Sequence, residues 1–542
     1  MNVQSDSRIH ADASKLGLPL VVQVGFAGSR RLVDPDTHQA IDIAAFEVAV
    51  TEKLTEALQQ MRCALKLSDR HFCCGLSQLA IGADTCFTRA CKVLDWPQRL
   101  FLPQQREDFL RGSRATGTPD FTDAQRDPAR QLFASSHVIQ ARVVSDASDR
   151  RMRFQDVNLE LVRVSDVLVC LVRASATGQA GGTIELVEAA RHRKRPVLEI
   201  HVSVAADGQP QFGETSHHLN AFVPPALPDA LAGVDTALTS VASLDDYCTP
   251  LKAFASDESK FKQLLFSRSA LAIIGAHLSA TLCALVALKL HGAAALPWLL
   301  GAELILLLLG FTIHRWLHRT HAVQRWAMVR LVAEVARSCA ALRIVPGYMS
   351  HLFSLPLPAS LRPLLRTLNV LHLRETRSVT TASWQARRDE YLHTRLIDPL
   401  GGQIPYYSIE LQRAENRAMW ANVCFNSAAT FAMIATATKL LLVTHVLSSG
   451  PIDPTVLEAT LGALAVVLPV VAVGALSLAA SFDLEARAYT YREMLEFLHS
   501  RQQHLASAQN DRAFNSLAME TEARLVAETA NWYSRRAFTG VT

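Results

Sequence analysis

The chain lacks three features that would assign it to a common class. Its 54 Lys and Arg residues barely exceed its 50 Asp and Glu residues, and a net charge of +4 is too small for the basic field of a nucleic-acid-binding protein. The 10 cysteines include no C-x-x-C pair, which favours buried thiols in a reducing compartment over disulfides or a zinc site. The opening residues, MNVQSDSRIHADASK, contain no apolar run of signal-peptide length. We therefore expect a cytosolic first domain, with neither nucleic acid nor a metal ion as partner.

The first part of the chain has the rhythm of an α/β protein. After a polar tail at 1–17, short apolar runs of strand length alternate with longer segments of helical pattern as far as about residue 203. This alternation predicts βαβ units, that is, a Rossmann-like parallel sheet over 18–203 with helices on both faces. Residues 204–255 are richer in Pro, Ala, Asp and Ser, and they predict a linker with little core of its own.

The second part of the chain contains four apolar runs, each near the ~20 residues that cross a bilayer. They predict an all-α membrane domain with four transmembrane helices in two hairpins. Core helices of a large soluble protein are the alternative, which the pairing of the runs disfavours. The predicted segments are a first hairpin at 256–313 (runs 271–290 and 293–313), a cytoplasmic helical region at 314–420, a second hairpin at 421–482 (runs 423–447 and 457–482), and C-terminal helices at 483–542.

The positive charges predict the orientation of these spans. Lys and Arg flank the outer ends of each hairpin, whereas the two hairpin loops contain none, although Lys289 near the first loop counts against the pattern. By the positive-inside rule both termini and the middle region are cytoplasmic, as in a multi-pass protein of the inner (cytoplasmic) membrane. The flanking charges are Lys262, Arg268, Arg315, Arg319, Arg413, Arg417 and Arg487.

Two ionisable residues fall inside the predicted spans. Glu303 lies near the middle of the second span and Lys439 toward the outer part of the third. Each costs roughly 2.5 to 3.5 kcal/mol on insertion scales if it is unpaired. We expect Glu303 to face the protein interior and to contact Lys439 or water, with snorkelling of Lys439 to the interface as the alternative.

Three glycine-rich turns follow predicted strands. They lie in VVQVGFAGSRRL (21–32), in CCGLSQLAIGADTCFTRA (73–90) and in DVLVCLVRASATGQAGGTIELVEAAR (166–191). Small residues close many such turns for packing reasons, and Ser29 and Thr183 could be helix N-caps. Three turns at one edge of a parallel sheet, however, place backbone N–H groups where open α/β sheets bind anions. The sequence therefore predicts an anion-binding pocket at this edge.

In their order, VGFAGSR, CGLSQLAIGADT and GGTIELVEAAR resemble the motifs of the SLOG superfamily, a Rossmann-like nucleotide-binding fold shared with LOG phosphoribohydrolases. The resemblance covers about 18–203. LOG enzymes carry a longer P-G-G-x-G-T-x-x-E motif with a catalytic Glu, whereas this chain has QAGGTIELVE. The resemblance to the SLOG superfamily therefore implies a binding pocket rather than a catalytic one. The pocket residues it implies are Gly25, Gly28, Ser29, Arg30, Gly75, Leu76, Gly82, Ala83, Asp84, Gly181, Gly182, Thr183 and Glu185.

Residues 255–542 resemble the SLATT membrane modules, which accompany nucleotide-binding domains in bacterial conflict systems. The resemblance rests on helical segments such as RWAMVRLVAEVARSCAALR (325–343) and EYLHTRLIDPLGGQIPYYSIELQRAENR (390–417). The resemblance implies a membrane effector in antiviral defence. Such an effector acts when it binds a nucleotide-derived signal, such as an ADP-ribose-type or cyclic nucleotide. Conduction would need a homo-oligomer, because four helices enclose little lumen.

Two other functions remain open from the sequence. The first is a membrane-anchored enzyme that cleaves an N-glycosidic bond of a nucleotide, with Glu185 or Glu188 as the acid–base residue. Glu188 together with Arg191, His192 and Arg193 also has the pattern of a solvated helix face. The second is a small-solute transporter, which the absence of a long inverted repeat disfavours. We expect a ligand-binding effector without a cofactor.

Overall fold

The structure, a computed structural model, describes residues 18–33, 41–112, 120–176, 182–231, 243–289, 294–377, 382–444 and 454–538. The chain forms two compact units. The first, which we call the sheet unit, consists of 1–250 and 346–381. The second, the helical unit, consists of 251–345 and 382–542.

The sheet unit confirms the predicted Rossmann-like α/β fold. Its sheet has the strand order β4-β3-β2-β1-β5-β6-β7 over the described residues, and β1 to β6 are parallel. The strands are β1 (Leu20–Gly28), β2 (His71–Ser77), β3 (Gln98–Leu102), β4 (Val138–Val143), β5 (Val167–Arg173), β6 (Val197–Val204) and β7 (Pro210–His217). The helices are α1 (Ile43–Ala64), α2 (Ala83–Val93), α3 (Arg106–Arg111), α4 (Asp123–Ala134), α5 (Arg150–Val164), α6 (Thr183–His192), α10 (Ser350–Ser354) and α11 (Arg362–Thr376).

The central strand β1 is buried on both faces, which explains its unbroken apolar sequence. Alternate residues such as Val22 and Phe26 pack in a core with α1 and α2, and the Phe26 ring stacks on Phe87 at 4.3 Å. Val21 and Ala27 point to the opposite core, which α5, α6 and α11 cover. Two helical layers therefore hold the end of β1 in a fixed position.

The predicted linker at 204–255 is wrong in part, because β7 lies within it. This strand pairs with β6 in the antiparallel sense, from Val197 opposite His217 to Val204 opposite Pro210. Further along, the buried Tyr247 donates a hydrogen bond from its hydroxyl to the Pro19 carbonyl at 3.0 Å. β7 is a largely exposed edge strand with few apolar residues, so it carries no hydrophobic signal in the sequence.

The predicted cytoplasmic region at 314–420 also divides, because 346–381 belongs to the sheet unit. Thr367 of α11 accepts a hydrogen bond from the Val21 backbone N–H at 2.9 Å, and Arg366 forms an ion pair with Asp166. Val370 lies in the same core as Val21. A helix that follows two predicted spans thus completes the face of a sheet that ends about 140 residues earlier.

The helical unit confirms the predicted all-α region. Its four candidate membrane spans, by length and composition, lie in α7, α8, α13 and α14, consistent with a multi-pass membrane protein. The predicted first hairpin loop, 291–292, lies outside the described residues, as does 448–453 of the predicted second loop, whereas 454–456 of that loop belong to the start of α14. The helices are α7 (Leu244–Lys289, which begins in the sheet unit), α8 (Leu296–Arg319), α9 (Ala322–Ala341), α12 (Trp384–Tyr391), α13 (Gln403–Val443), α14 (Pro454–Ser481), α15 (Leu484–Ala506) and α16 (Asp511–Phe538).

The helical unit repeats one motif. In each copy a helix of more than 40 residues is followed by a shorter apolar helix, then by a break, and then by a helix that contains charged residues: α7, α8, α9 and α13, α14, α15. The break is a single residue with a left-handed backbone, His321 at φ 49° in the first copy and Asp483 at φ 50° in the second. Such a conformation is uncommon outside glycine, and neither break has a sequence signal as clear as Gly or Pro.

Candidate anion-binding cleft

A cleft of about 1110 Å³ in the sheet unit opens at the carboxyl ends of β1 and β5. The chain leaves β1 toward β2, β3 and β4 on one side and returns to β5 on the other. Open parallel sheets bind ligands at this switch point, because the loops after the two strands diverge there. The amino terminus of α6, at Gly182 and Thr183, also lines the cleft and directs backbone N–H groups toward it.

Ser29, at the base of this cleft, connects the turn after β1 to β5 and to α2 through hydrogen bonds. Its backbone N–H donates to the Leu171 carbonyl at 2.9 Å, and its hydroxyl accepts from the Arg173 N–H at 3.0 Å. Its carbonyl accepts from the Ala83 N–H at 3.2 Å, which joins the turn to the start of α2. Ser29 is therefore a structural tie between elements. The N-cap positions of α2 and α6 are Gly82 and Gly182, so neither Ser29 nor Thr183 is an N-cap.

Five arginines and two aspartates line the cleft, which gives it an excess of positive charge; they are Arg30, Arg31, Arg150, Arg151, Arg173, Asp84 and Asp149. Two of the arginines are held in place by one acid. Asp120, whose side chain is buried, pairs with Arg30 at 2.7 Å and with Arg150 at 2.6 Å. The Arg30 guanidinium also lies over the Phe154 ring, 4.3 Å from its centroid. Guanidinium groups fixed in this way are well suited to binding phosphate.

Asp84 is the buried carboxyl of the cleft. Burial raises its pKa to about 7, against the opposing effects of the Gln78 N–H, the Arg30 charge and the Gly28 N–H. The carboxyl therefore changes its charge near neutral pH, in a cleft with an excess of positive charge.

The structure brings six of the predicted pocket residues to the cleft: Gly28, Ser29, Arg30, Asp84, Gly182 and Thr183. Five others do not line it. Gly25 and Gly75 pack inside the unit, where an added Cβ would lie 2.0 Å from the Ser165 hydroxyl and 2.7 Å from the Cys91 sulfur. Leu76 and Ala83 belong to the hydrophobic cores. Gly82 has a positive φ of 81°, and an added Cβ there would clash with the Arg30 carbonyl. Gly181 lies outside the described residues.

The two predicted acid–base candidates lie away from the cleft. Glu185 lines a separate cavity of about 250 Å³ and accepts a hydrogen bond from the Gln155 side chain at 3.3 Å. Glu188 is exposed on α6. Neither carboxyl lines the cleft at the switch point, whereas Asp84 does.

Sequence reasoning missed the contribution of α5. Arg150, Arg151, Phe154 and Asn158 all line the cleft from this helix. Asn158 also accepts a hydrogen bond from the Gln78 side chain at 3.1 Å, which ties the helix to the loop after β2. The signal was the N-capping Asp149 followed directly by two arginines, because basic residues are unfavourable in a first turn.

The two intramembrane residues do not pair with each other in the described part of the chain. The Lys439 ammonium instead lies against α14, where a Cβ on Gly462 would be 3.1 Å away. Glu303 is half-buried on α8. The hypothesis of a Glu303–Lys439 contact is therefore wrong for this structure, and a contact of Glu303 with water stays a prediction.

The chain matches no protein-family model, no curated protein and no solved structure.

Proposed function

We propose that this protein is a nucleotide-sensing membrane effector. Its cleft binds a nucleotide-derived anion, of the ADP-ribose or cyclic-nucleotide type, and the bound state alters the packing of the membrane helices. One observation carries the proposal: a cleft at the switch point of a Rossmann-like sheet, lined by five arginines and the amino terminus of α6. Both features favour phosphate over neutral solutes.

The connectivity supports a coupling between the cleft and the membrane. The chain passes between the two units at 250–251, at 345–346 and at 381–382. The helix that contains the first candidate span starts at Leu244, whose N–H donates to the Glu375 carboxylate at 2.8 Å in the sheet unit. A ligand gates the helices only if it binds one arrangement more tightly than the other.

The remaining parts of the proposal follow from the charge pattern and from the resemblance to SLOG and SLATT modules. The protein lies in the inner membrane with both termini cytoplasmic, because Lys and Arg flank the outer ends of the hairpins. Several copies assemble to enclose a path through the bilayer, in which Glu303 contacts water. The output is permeabilisation of the membrane in antiviral defence.

Two cleft arginines are suitable for testing ligand binding. Arg31 and Arg151 are exposed and line the cleft, unlike the structural pair on Asp120. We expect Arg31→Gln with Arg151→Gln to weaken binding of ADP-ribose or a cyclic nucleotide about tenfold, because two phosphate contacts are lost. Titration calorimetry of the full chain in detergent measures this. The control Arg111→Gln removes an exposed arginine outside the cleft and should bind like the parent. Equal affinities in all three proteins would place the site elsewhere.

The buried Asp84 predicts how binding depends on pH. Because its pKa is raised to about 7, the carboxyl is mostly neutral below that pH and ionised above it. We expect affinity for an anionic nucleotide to fall several-fold between about pH 6 and pH 8, since the new negative charge repels the ligand. In Asp84→Asn this fall should disappear, leaving affinity near the low-pH value. The same slope in both proteins would rule out Asp84 as its cause.

An N-glycosidase is the second candidate, and the same carboxyl favours it. A group with a pKa near 7 can donate a proton to a leaving base and accept one from water. The role moves from Glu185 and Glu188 to Asp84, which lines the cleft. Incubation of the full chain with NAD and nucleoside monophosphates tests this. Release of free base that is lost in Asp84→Asn would establish an enzyme, and intact substrates would favour the sensor.

A further inference from the structure

A second cavity lies in the helical unit, at the basic end of α8. It has a volume of about 200 Å³, and we call it the foot cavity. Its polar lining includes His314, His318 and His321, which follow the apolar part of the span, and Arg536 of α16. Its apolar lining includes Phe266, which precedes the first span on α7. The foot cavity therefore stands where the hairpin leaves the predicted hydrocarbon core on its cationic side.

The foot cavity also lies where the ends of the two hairpins meet. The Phe266 ring packs edge to face on Phe482, the residue after α14, with centroids 6.0 Å apart. Arg536 is fixed to the same end of α14, because it pairs with Asp483 at 2.5 Å and donates to the Ser481 carbonyl at 2.9 Å. A ligand in the cavity would thus touch the first hairpin directly and would reach the end of the second through Phe266 and Arg536.

The side chains behind Phe266 include several hydrogen-bond donors. The rings of Phe266, Trp326 and Trp532 pack in series, with centroids 5.7 and 4.9 Å apart. Both tryptophans are more than nine-tenths buried, and their indole N–H groups reach no acceptor among the described residues. The Arg330 guanidinium lies 4.7 Å from the Trp532 centroid and that of Arg487 lies 6.0 Å from it. The Glu528 and Asp483 carboxylates act on these two guanidinium groups, so the donors of the cluster that lack an acceptor among the described residues include the two indole N–H groups.

The three histidines are of a residue type that binds metal ions, but their side chains are not placed to hold one ion together. In the described part of the chain, no three His, Cys, Asp or Glu side chains are placed to hold one ion. Imidazole and guanidinium donors beside an aromatic wall suit a different ligand, namely a phosphate joined to an apolar chain. Such molecules are present at high concentration at the level of the foot cavity, because they form the bilayer itself.

We propose that the foot cavity binds the phosphate group of an anionic phospholipid. The lipid links the cytoplasmic ends of the two hairpins. This inference concerns the helical unit alone and does not depend on what the cleft of the sheet unit binds.

The test is the retention of phosphatidylglycerol by the full chain. The parent is reconstituted with phosphatidylglycerol and phosphatidylcholine, extracted in mild detergent, and its bound lipid is counted by native mass spectrometry. His318→Glu places a carboxylate on the exposed rim of the foot cavity. We expect this variant to retain about tenfold less phosphatidylglycerol than the parent, because the carboxylate repels the phosphate.

The control is Arg315→Glu, on the same end of α8 but outside the lining. It changes the net charge by more than His318→Glu does, so a general attraction to anionic lipid would suffer more in the control. Retention near the parent level in Arg315→Glu, with loss in His318→Glu, supports the site. Equal loss in both, equal retention in both, or no preference of the parent over phosphatidylcholine would overturn it. Displacement of the lipid by millimolar inorganic phosphate would also overturn the lipid assignment in favour of the free ion.

Discussion

Replacing Arg395 by Ala is expected to destabilise the helical unit by about 3 to 5 kcal/mol, the cost of leaving a buried carboxylate without its partner. Arg395 is almost fully buried and donates from two nitrogens to both oxygens of Glu522, each at 2.8 Å. It also donates to Glu334 at 2.9 Å, whose other oxygen pairs with Arg337. Without Arg395, Glu334 keeps its ion pair with Arg337, whereas the buried Glu522 loses its guanidinium partner and keeps the hydrogen bond from the Tyr391 hydroxyl. Thermal unfolding of the detergent-solubilised chain, followed by circular dichroism, measures the loss.

The control for this substitution is Arg492→Ala. Arg492 pairs with Glu415 at 2.6 Å, but both side chains are about half exposed. An exposed pair contributes about 0 to 1 kcal/mol, so this variant should melt close to the parent. If Arg395→Ala lowered the melting temperature as little as Arg492→Ala, the buried network would not stabilise the unit.

The same network predicts that the free energy of unfolding of the parent falls at acid pH. Burial alone would raise the pKa of Glu334, but Arg337 and Arg395 outweigh it and hold that pKa at about 2, below the ordinary 4.5. Because the folded state binds the proton less readily than the unfolded state, this contribution is present above pH 4.5 and is lost as the pH falls toward 2. In Arg395→Ala the contribution of Glu334 to stability should already be smaller at neutral pH. The free energy of unfolding of the variant should therefore fall less in acid than that of the parent.

The second large effect concerns a fragment. Residues 1–255 contain every described strand, yet we expect them to aggregate when expressed alone, because α11 is missing. Without it the Val21 N–H loses its acceptor on Thr367, and Asp166 loses its ion pair with Arg366. The fragment also loses the apolar face of α11 that covers the sheet. This loss costs about 1.5 to 3 kcal/mol of stability for each buried Leu or Val. Its fully or nearly fully buried members are Leu364, Leu368, Val370, Leu371 and Leu373.

The matched comparison restores the segment. A chain in which a Gly/Ser linker joins residue 250 to residues 346–381 contains the whole sheet unit. It should be monodisperse in size-exclusion chromatography and should melt cooperatively without detergent. Cooperative melting of 1–255 at the same temperature would show that α11 is dispensable.

The sequence was sufficient for elements whose signal is local. β1 was predictable because both of its faces are buried, and the candidate spans because a bilayer demands long apolar runs. β7 carries no such signal, since it is a polar edge strand. The membership of α11 in the sheet unit depends on Thr367 and Val370 meeting β1, a contact between residues nearly 350 positions apart.

The candidate site shows the same division. The first turn and the start of α6 were predictable, because glycine followed by a helix is a local pattern. Gly25 and Gly75 share that pattern, but their neighbours across the core decide that they serve packing. Arg150 and Arg151 enter the cleft because α5 crosses the sheet next to the switch point, which depends on the order of the strands.

The central claim, that a ligand in the cleft controls the membrane helices, is tested most directly by dye release from liposomes that contain the purified full chain. ADP-ribose and cyclic nucleotides are added in turn to the side that carries the sheet unit. The account predicts that one of them triggers release by the parent and by Arg111→Gln, and that Arg31→Gln with Arg151→Gln needs about tenfold more of it. Release at the same concentration in all three proteins, or binding in the cleft without any release, would contradict the account.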